Sequence, residues 1–305
     1  ISALNKLGYQ VVCIAPEDDY SAKLVAELNC LWLPLQMDNQ GSNPIKDIGV
    51  LWQLWRYYRR YQPAVCLHFT IKNNVYGTWA ARLNKLPAIN NVSGLGTAFL
   101  HTGLVPLMVR LLYKTSFPLT AKVFCQNSED YELLTQRNLV PQAKLNLLPG
   151  SGVDTNRFRP ELKQARVGEV FRFLYPGRML ADKGLFELIE AMDLLHAKGF
   201  ACELQLCGFM DVQNVTAISR EQMAEWCTRD YVEYIGTSDV MEEVFAAVDC
   251  VVLPSYREGM PRSLLEAGAM ALPVVTTDVP GCRNIIEHGV NGLLCEVKSP
   301  TAWLT

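Results

Sequence analysis

Cys250-Val251-Val252-Leu253-Pro254-Ser255-Tyr256-Arg257-Glu258-Gly259-Met260-Pro261-Arg262-Ser263-Leu264-Leu265-Glu266-Ala267 reads as a strand, a loop and a helix in succession. Cys250–Leu253 is apolar throughout and too short for a helix, as expected of a strand covered on both faces. Pro254-Ser255-Tyr256 breaks the run. Pro261 then falls where the first turn of a helix tolerates proline, and Leu264, Leu265 and Ala267 supply an inner face. Strand, loop and helix in this order make half of a crossover, the unit from which parallel sheets are built. The same stretch carries polar groups in meaningful places. Glu258 lies in the loop above the strand, and Glu266 lies about a turn inside the helix. The backbone N–H groups from Gly259 to Ser263 point out of the helix mouth, which suits a pyrophosphate. Glu266 is placed to accept hydrogen bonds from sugar hydroxyls, as a carboxylate does at the ribose of a dinucleotide. Taken alone, the stretch also fits a plain helix with an acid near its start and a solvated glutamate.

The pattern extends in both directions. Strands are expected at Gln10–Ala15, Leu31–Leu35, Ala64–Phe69, Ala88–Val92, Lys122–Gln126 and Leu145–Leu148. After the polar, proline-containing segment Asp154–Gly168 they resume at Phe171–Tyr175, Glu203–Cys207, Val232–Ile235, Cys250–Leu253, Val274–Thr276 and Leu293–Val297. Amphipathic stretches between them read as helices, among them Ser21–Leu28, Ile48–Tyr61, Asn74–Asn84, Gln213–Thr228 and Val240–Val248. The expected fold class is α/β: two tandem Rossmann-like doubly wound domains, residues 1–155 and 156–305, facing a cleft. Ligands of open parallel sheets sit beyond the carboxyl ends of the strands, so the cleft is the expected site.

The chain has 305 residues, half of them hydrophobic and 19% charged, which suits two globular domains. The ten cysteines are scattered without a Cys-x-x-Cys pair, as expected of buried thiols in a reducing compartment rather than disulfides or a zinc site. Residues 1–155 carry a net charge of +4 and residues 156–305 one of −7. A basic first half suits an anionic membrane surface or a phosphorylated acceptor, and equally a scatter of solvated charges. Val50-Leu51-Trp52-Gln53-Leu54-Trp55-Arg56-Tyr57-Tyr58-Arg59-Arg60-Tyr61 interleaves aromatics with arginines, as a helix lying on a bilayer does and as a crossover helix with one buried face also does. Nothing indicates a nucleic-acid partner.

A second motif, Tyr175-Pro176-Gly177-Arg178-Met179-Leu180-Ala181-Asp182-Lys183-Gly184, closes one strand and opens the next helix. Gly177 is read as permitting a tight turn. Arg178 offers a planar donor fork to a phosphate and Lys183 a point charge. No Asp-x-Asp occurs, and with Arg178, Lys183 and a helix mouth available the leaving group needs no metal, so no cofactor is expected.

Together the two motifs resemble glycosyltransferase family 4, of the GT-B fold, where a Gly-Arg-x-x-x-x-Lys-Gly loop and a Glu-x7-Glu segment hold a nucleotide sugar. Leu148-Pro149-Gly150-Ser151-Gly152-Val153-Asp154 is similar to that family's entry to its second domain, and Glu287-His288-Gly289-Val290-Asn291-Gly292-Leu293-Leu294 to its closing segment. The resemblance implies an acceptor-binding first domain, lacking its first strand in 1–155, and a donor-binding second domain, lacking its closing helices. It implies donor contacts at Gly177, Arg178, Lys183, Glu258, Gly259, Met260, Pro261, Arg262 and Glu266, with Glu258, Arg178 and Lys183 catalytic. The diphosphate goes to Arg178 and Lys183, the sugar to Glu258 and the ribose to Glu266. Retention at the anomeric carbon and a UDP-sugar donor are also implied. In the first half, His68-Phe69-Thr70-Ile71-Lys72 and Asn90-Asn91-Val92-Ser93-Gly94-Leu95-Gly96 resemble the branch that extends undecaprenyl-diphosphate-linked sugars, including N-acetylgalactosaminyltransferases, although Asn73 stands where that branch usually has proline. His68, Lys72, Gly94 and Gly96 become acceptor-binding candidates. A lipid-linked sugar acceptor and peripheral attachment to the cytoplasmic membrane face follow from the same likeness. A sugar-nucleotide epimerase and a non-catalytic sugar-nucleotide-binding module are the rival readings.

Overall fold

The computed structural model describes residues 1–37, 44–95, 104–163, 168–210 and 214–303. Its first half runs α1 (Ser2–Lys6), β1 (Val12–Ala15), α2 (Asp19–Leu28), β2 (Leu31–Pro34), α3 (Pro44–Tyr61), β3 (Cys66–Phe69), α4 (Thr78–Leu83), β4 (Ala88–Val92), α5 (Leu104–Ser116), β5 (Lys122–Cys125), α6 (Ser128–Gln136) and β6 (Leu145–Leu147). The second half runs β7 (Phe171–Pro176), α7 (Leu185–Ala197), β8 (Cys202–Cys207), α8 (Arg220–Trp226), β9 (Val232–Gly236), α9 (Met241–Ala246), β10 (Cys250–Leu253), α10 (Arg262–Ala269), β11 (Val274–Thr277) and β12 (Gly292–Cys295). Each expected strand is present with its ends moved by no more than two residues.

The helices follow the sequence less closely. Of the stretch expected to be helical, Gln213 lies outside the described residues and the helix begins at Arg220, where the Ser219 hydroxyl caps α8 by accepting from the Gln222 amide at 3.1 Å. Ahead of it Asn214 folds its side chain back onto the Thr216 amide at 2.9 Å, a local turn that competes with helix. The helix expected from Asn74 opens as a π-helix over Asn73–Gly77 before tightening into α4.

In the second half all six strands form one sheet in the order β12-β11-β10-β7-β8-β9, and every neighbouring pair is parallel. The chain enters at β7, builds outward through β8 and β9, then crosses back to lay β10 against the other edge of β7. Strand order therefore reverses between β7 and β10, and a switch point of this kind leaves a crevice at the carboxyl ends of the two strands. Burial follows from that placement. Every residue of β10 is buried, as a central strand covered on both faces requires. Leu174, Tyr175, Leu185, Leu188, Val251, Leu264 and Ala267 share one core.

In the first half β1 and β2 pair in parallel, while β3, β4, β5 and β6 form a four-stranded sheet in that order. Val50, Leu54 and Tyr58, spaced four apart, turn one face of α3 onto a core with Leu35, Cys66, Ala80, Ala81 and Ala88. The two compact units interleave along the chain: residues 1–92, 108–124 and 138–145 form one, and 93–107, 125–137 and 146–305 the other. Eight of the ten cysteines are buried and all are free, so they pack as small hydrophobes.

The π-helix is explained by what it lies against. His68 is 4% exposed, and a Cβ on Gly77 would lie 2.6 Å from its ring, so only glycine allows the helix this close. The ring bonds Tyr58 Oη at Nε2 and Asn90 Oδ1 at Nδ1, both at 2.8 Å. Asn90 spends its amide donors on Asn74 O and Thr78 Oγ1, which assigns its oxygen to the imidazole and the ring proton to Nδ1. Burial lowers the His68 pKa from 6.5 to about 4. The unfolded chain thus takes up a proton near pH 6.5 that the folded chain refuses until about pH 4. Stability is complete above pH 6.5 and declines across that interval, by about 3 kcal/mol for a shift of this size. Urea unfolding at pH 7 and pH 4.5 should show the loss, and the imidazole C–H resonances of His68 should not titrate above pH 5. A His68 midpoint near 6.5 would refute the assignment.

Candidate active site

Both sequence motifs leave the switch point, one from β7 and one from β10. After β7 the chain passes Gly177 and Arg178 and makes a single 3-10 turn over Ala181–Lys183. Gly177 has a negative φ, and the turn expected there needs glycine for space: a Cβ would meet the Tyr175 hydroxyl at 2.8 Å. That hydroxyl donates to the Arg178 carbonyl at 2.8 Å and shapes the turn, leaving the Arg178 side chain on the surface. Gly184 then takes a left-handed φ of 72°, with its Cα side pressed on the Pro254 carbonyl, where any Cβ would lie 2.2 Å away.

This close crossing joins the loops. The Tyr256 amide donates to the Asp182 carbonyl at 3.1 Å, and the Tyr256 hydroxyl donates to Glu187 Oε1 at 2.6 Å. Between them the Lys183 ammonium pairs with the Glu258 carboxylate, their side chains only 18% and 13% exposed. The sequence placed these two residues in one site, and the structure puts them in direct contact.

Pro261 is the N-cap of α10, one position before the expected first turn, with φ −68° and ψ 119°. The helix thus opens at Arg262, whose amide and that of Ser263 belong to the first turn, where helical N–H groups lack intrahelical partners. Met260 packs against Gly150 from the segment after β6. Glu266 is buried on the same helix, with Arg262 Nη2 donating to it at 3.0 Å. Burial raises the Glu266 pKa, while the charges of Arg262 and Arg157 act in the opposite direction. A half-desolvated carboxylate with one cation partner keeps acceptor capacity for hydroxyl groups.

The acceptor candidates do not form one cluster with one another. His68 is held in the core network described above. The Lys72 ammonium donates to Asp47 Oδ1 at 2.6 Å, and Tyr76 donates to the other oxygen at 2.9 Å. Gly94, with φ 136°, faces the backbone of Gly259, which a Cβ would approach to 3.2 Å. Gly96 lies outside the described residues. Sequence reasoning overlooked Glu187, and it quoted Arg257 without giving it a role. Arg257 pairs with Asp130, which is fully buried. Neither partner has a sequence signal pointing to the other, because a cap-and-acid pattern at α6 reads as an ordinary helix start.

Residues 170–305 match the family model described as glycosyl transferases group 1, and residues 1–127 match the one described as glycosyl transferase 4-like. The chain is 27% identical to the N,N'-diacetylbacillosaminyl-diphospho-undecaprenol alpha-1,3-N-acetylgalactosaminyltransferase of Campylobacter jejuni, over 98% of this chain and 81% of that protein. It is 23% identical to the UDP-Gal:alpha-D-GlcNAc-diphosphoundecaprenol alpha-1,3-galactosyltransferase of Escherichia coli, over 83% of this chain and 68% of that protein. Among solved structures it is similar to sucrose-phosphate synthase of Thermosynechococcus elongatus, with a TM-score of 0.78, 20% identity and coverage of 99% and 79%. It is also similar to Anabaena HepE in complex with UDP and glucose, with a TM-score of 0.75, 16% identity and coverage of 95% and 79%.

The Lys183–Glu258 pair has a testable energetic signature. Removing one partner strands a largely buried charge, which costs about 3 kcal/mol, whereas removing both leaves no charge to strand. Urea unfolding should show Lys183→Met as strongly destabilised and Lys183→Met/Glu258→Leu as substantially recovered. Additive losses in the double variant would mean that the two side chains do not interact.

Proposed function

The chain belongs to the family-4 glycosyltransferases of the GT-B fold, and on that premise we propose that it transfers an N-acetylhexosamine from a UDP-sugar to a lipid-linked saccharide. The setting is bacterial surface-polysaccharide or glycan assembly, and the anomeric configuration is retained. The observation that carries the reading is the junction of Lys183, Glu258 and the start of α10 at the switch point of a parallel sheet. A cation, a carboxylate and open amides are what a nucleotide sugar asks of a site. The Campylobacter and Escherichia relatives, named for lipid-diphosphate-linked acceptors, support the acceptor class, and the former supports the N-acetylhexosamine.

In this reading Lys183 and Arg178 stabilise the diphosphate as negative charge grows on it, assisted by the amides at the α10 mouth. A front-face route lets the departing phosphate take the acceptor hydroxyl's proton, so no metal and no paired glycosidase carboxylates are required. Glu258 orients the donor sugar and faces its developing positive charge, and Glu266 accepts from the ribose hydroxyls. Attachment is peripheral, at the inner face of the cytoplasmic membrane. Among the described residues no helix is long and apolar enough to cross a membrane. The surface that supports attachment is α3, which exposes Ile48, Trp52, Arg56, Arg59 and Arg60, with the Arg56 guanidinium 4.6 Å from the Trp52 ring centre.

Full-length enzyme incubated with radiolabelled UDP-N-acetylhexosamine and bacterial membrane lipids should move label into the organic phase, and the transfer should survive EDTA. Interconversion of free sugar nucleotide would mark an epimerase, and absence of turnover a binding module. The two glutamates should separate kinetically. The ribose does not change during reaction, so Glu266→Ala should chiefly raise the donor KM and weaken UDP binding. Glu258→Ala should lower kcat by roughly 10- to 150-fold, the value of a charged hydrogen bond, with UDP affinity nearly unchanged. The opposite pattern would exchange the two roles.

A further inference from the structure

Glu258 is held by Lys183 in front, and the residues on either side of it are held from behind. Asn127 caps α6: its Oδ1 accepts from the Asp130 amide at 2.7 Å. Its Nδ2 donates to the Asp130 carboxylate at 3.2 Å and to the Gly259 carbonyl at 2.8 Å. Asp130 sits at the third position of that helix, where an acid is ordinarily solvated and favoured by the helix dipole. Here it has no exposure at all, accepts from the Leu95 amide at 3.3 Å, and pairs with Arg257. Arg257 is itself only 10% exposed in its side chain. The helix start therefore grips Arg257 and Gly259, the immediate neighbours of Glu258, across more than a hundred residues of chain and within one compact unit.

The grip also explains the packing of the loop. A Cβ on Gly259 would lie 1.9 Å from the Ser93 carbonyl and 3.0 Å from Gln126 Oε1, and one on Gly281 would lie 2.6 Å from the Gly259 carbonyl. With both neighbours tied, the Glu258 side chain is directed at Lys183.

We propose that Asn127 and Asp130 are positioning residues for Glu258, acting through the Gly259 carbonyl and Arg257 to fix where the carboxylate meets the donor sugar. The proposal rests on the reading of Glu258 as the sugar-contacting carboxylate. Neither residue touches substrate. Their effect is on geometry, and a displaced catalytic group of about 1 Å costs on the order of 100-fold in rate.

Four variants of the full-length enzyme separate this role from simple helix capping. Serine is a good N-cap, so Asn127→Ser keeps α6 capped but cannot donate to the Gly259 carbonyl. Asp130→Asn keeps the acceptor for Leu95 and removes the charge that holds Arg257. Glu258→Gln reports on the premise. Asn127→Ser should lower kcat by about 5- to 10-fold, the scale of one neutral hydrogen bond, with Tm and UDP affinity close to wild type. Asp130→Asn should lower kcat about 10- to 100-fold with a smaller change in UDP affinity. Adding Arg257→Gln to Asp130→Asn, which replaces the charged pair with an amide contact, should restore part of kcat. Wild-type kcat in both single variants while Glu258→Gln is impaired would overturn the clamp and leave the Glu258 assignment standing. Equal losses in kcat, UDP affinity and Tm would reduce it to a structural cap and also overturn it. Wild-type kcat in Glu258→Gln would remove the premise itself.

Discussion

The Lys183–Glu258 ion pair ties together the two loops that leave the switch point, and the site is organised around it. Its low exposure makes it costly to break, because either charge left alone would be poorly solvated. Yet it lies at the carboxyl ends of β7 and β10, where an anionic ligand of an open sheet is expected. The pair thus holds a cation and a carboxylate against each other at that position.

The loop from Pro254 to Gly259 shows how much restraint this takes. Thr277 donates to the Ser255 carbonyl, Tyr256 is held by Asp182 and Glu187, Arg257 by Asp130, Glu258 by Lys183, and Gly259 by Asn127. Successive residues from Ser255 to Gly259 each have a separate partner, although the buried Ser255 Oγ and Arg257 Nε find none among the described residues. Such a loop fixes the position of the Glu258 carboxylate, and a charge fixed in this way needs little reorganisation.

Much of this was legible in the residues. The strands were read correctly because short apolar runs bounded by turn residues have few other uses in a wound sheet. The meeting of Lys183 with Glu258 was foreshadowed because charges at fixed distances from two strand ends have few structural reasons to recur together. The α8 boundary was misplaced because Ser219 and Asn214 act through local hydrogen bonds that a periodicity count does not see. The need for glycine at position 177 comes from the Tyr175 hydroxyl, a contact that the motif alone does not announce.

The division follows the range of the forces. Hydrophobic periodicity, helix-cap chemistry and the spacing of charges act within a few residues, so the amino-acid sequence by itself determined the parallel-sheet architecture, the order of elements and the candidate donor-site side chains. The partnership of Asp130 with Arg257 and of Asn127 with Gly259 is a different matter, as are the burial of His68 and the reversal of strand order between β7 and β10. Each depends on segments far apart in the chain arriving at one place. Only the tertiary structure decided them, because a buried charge has no preferred partner until packing removes the water that would otherwise serve.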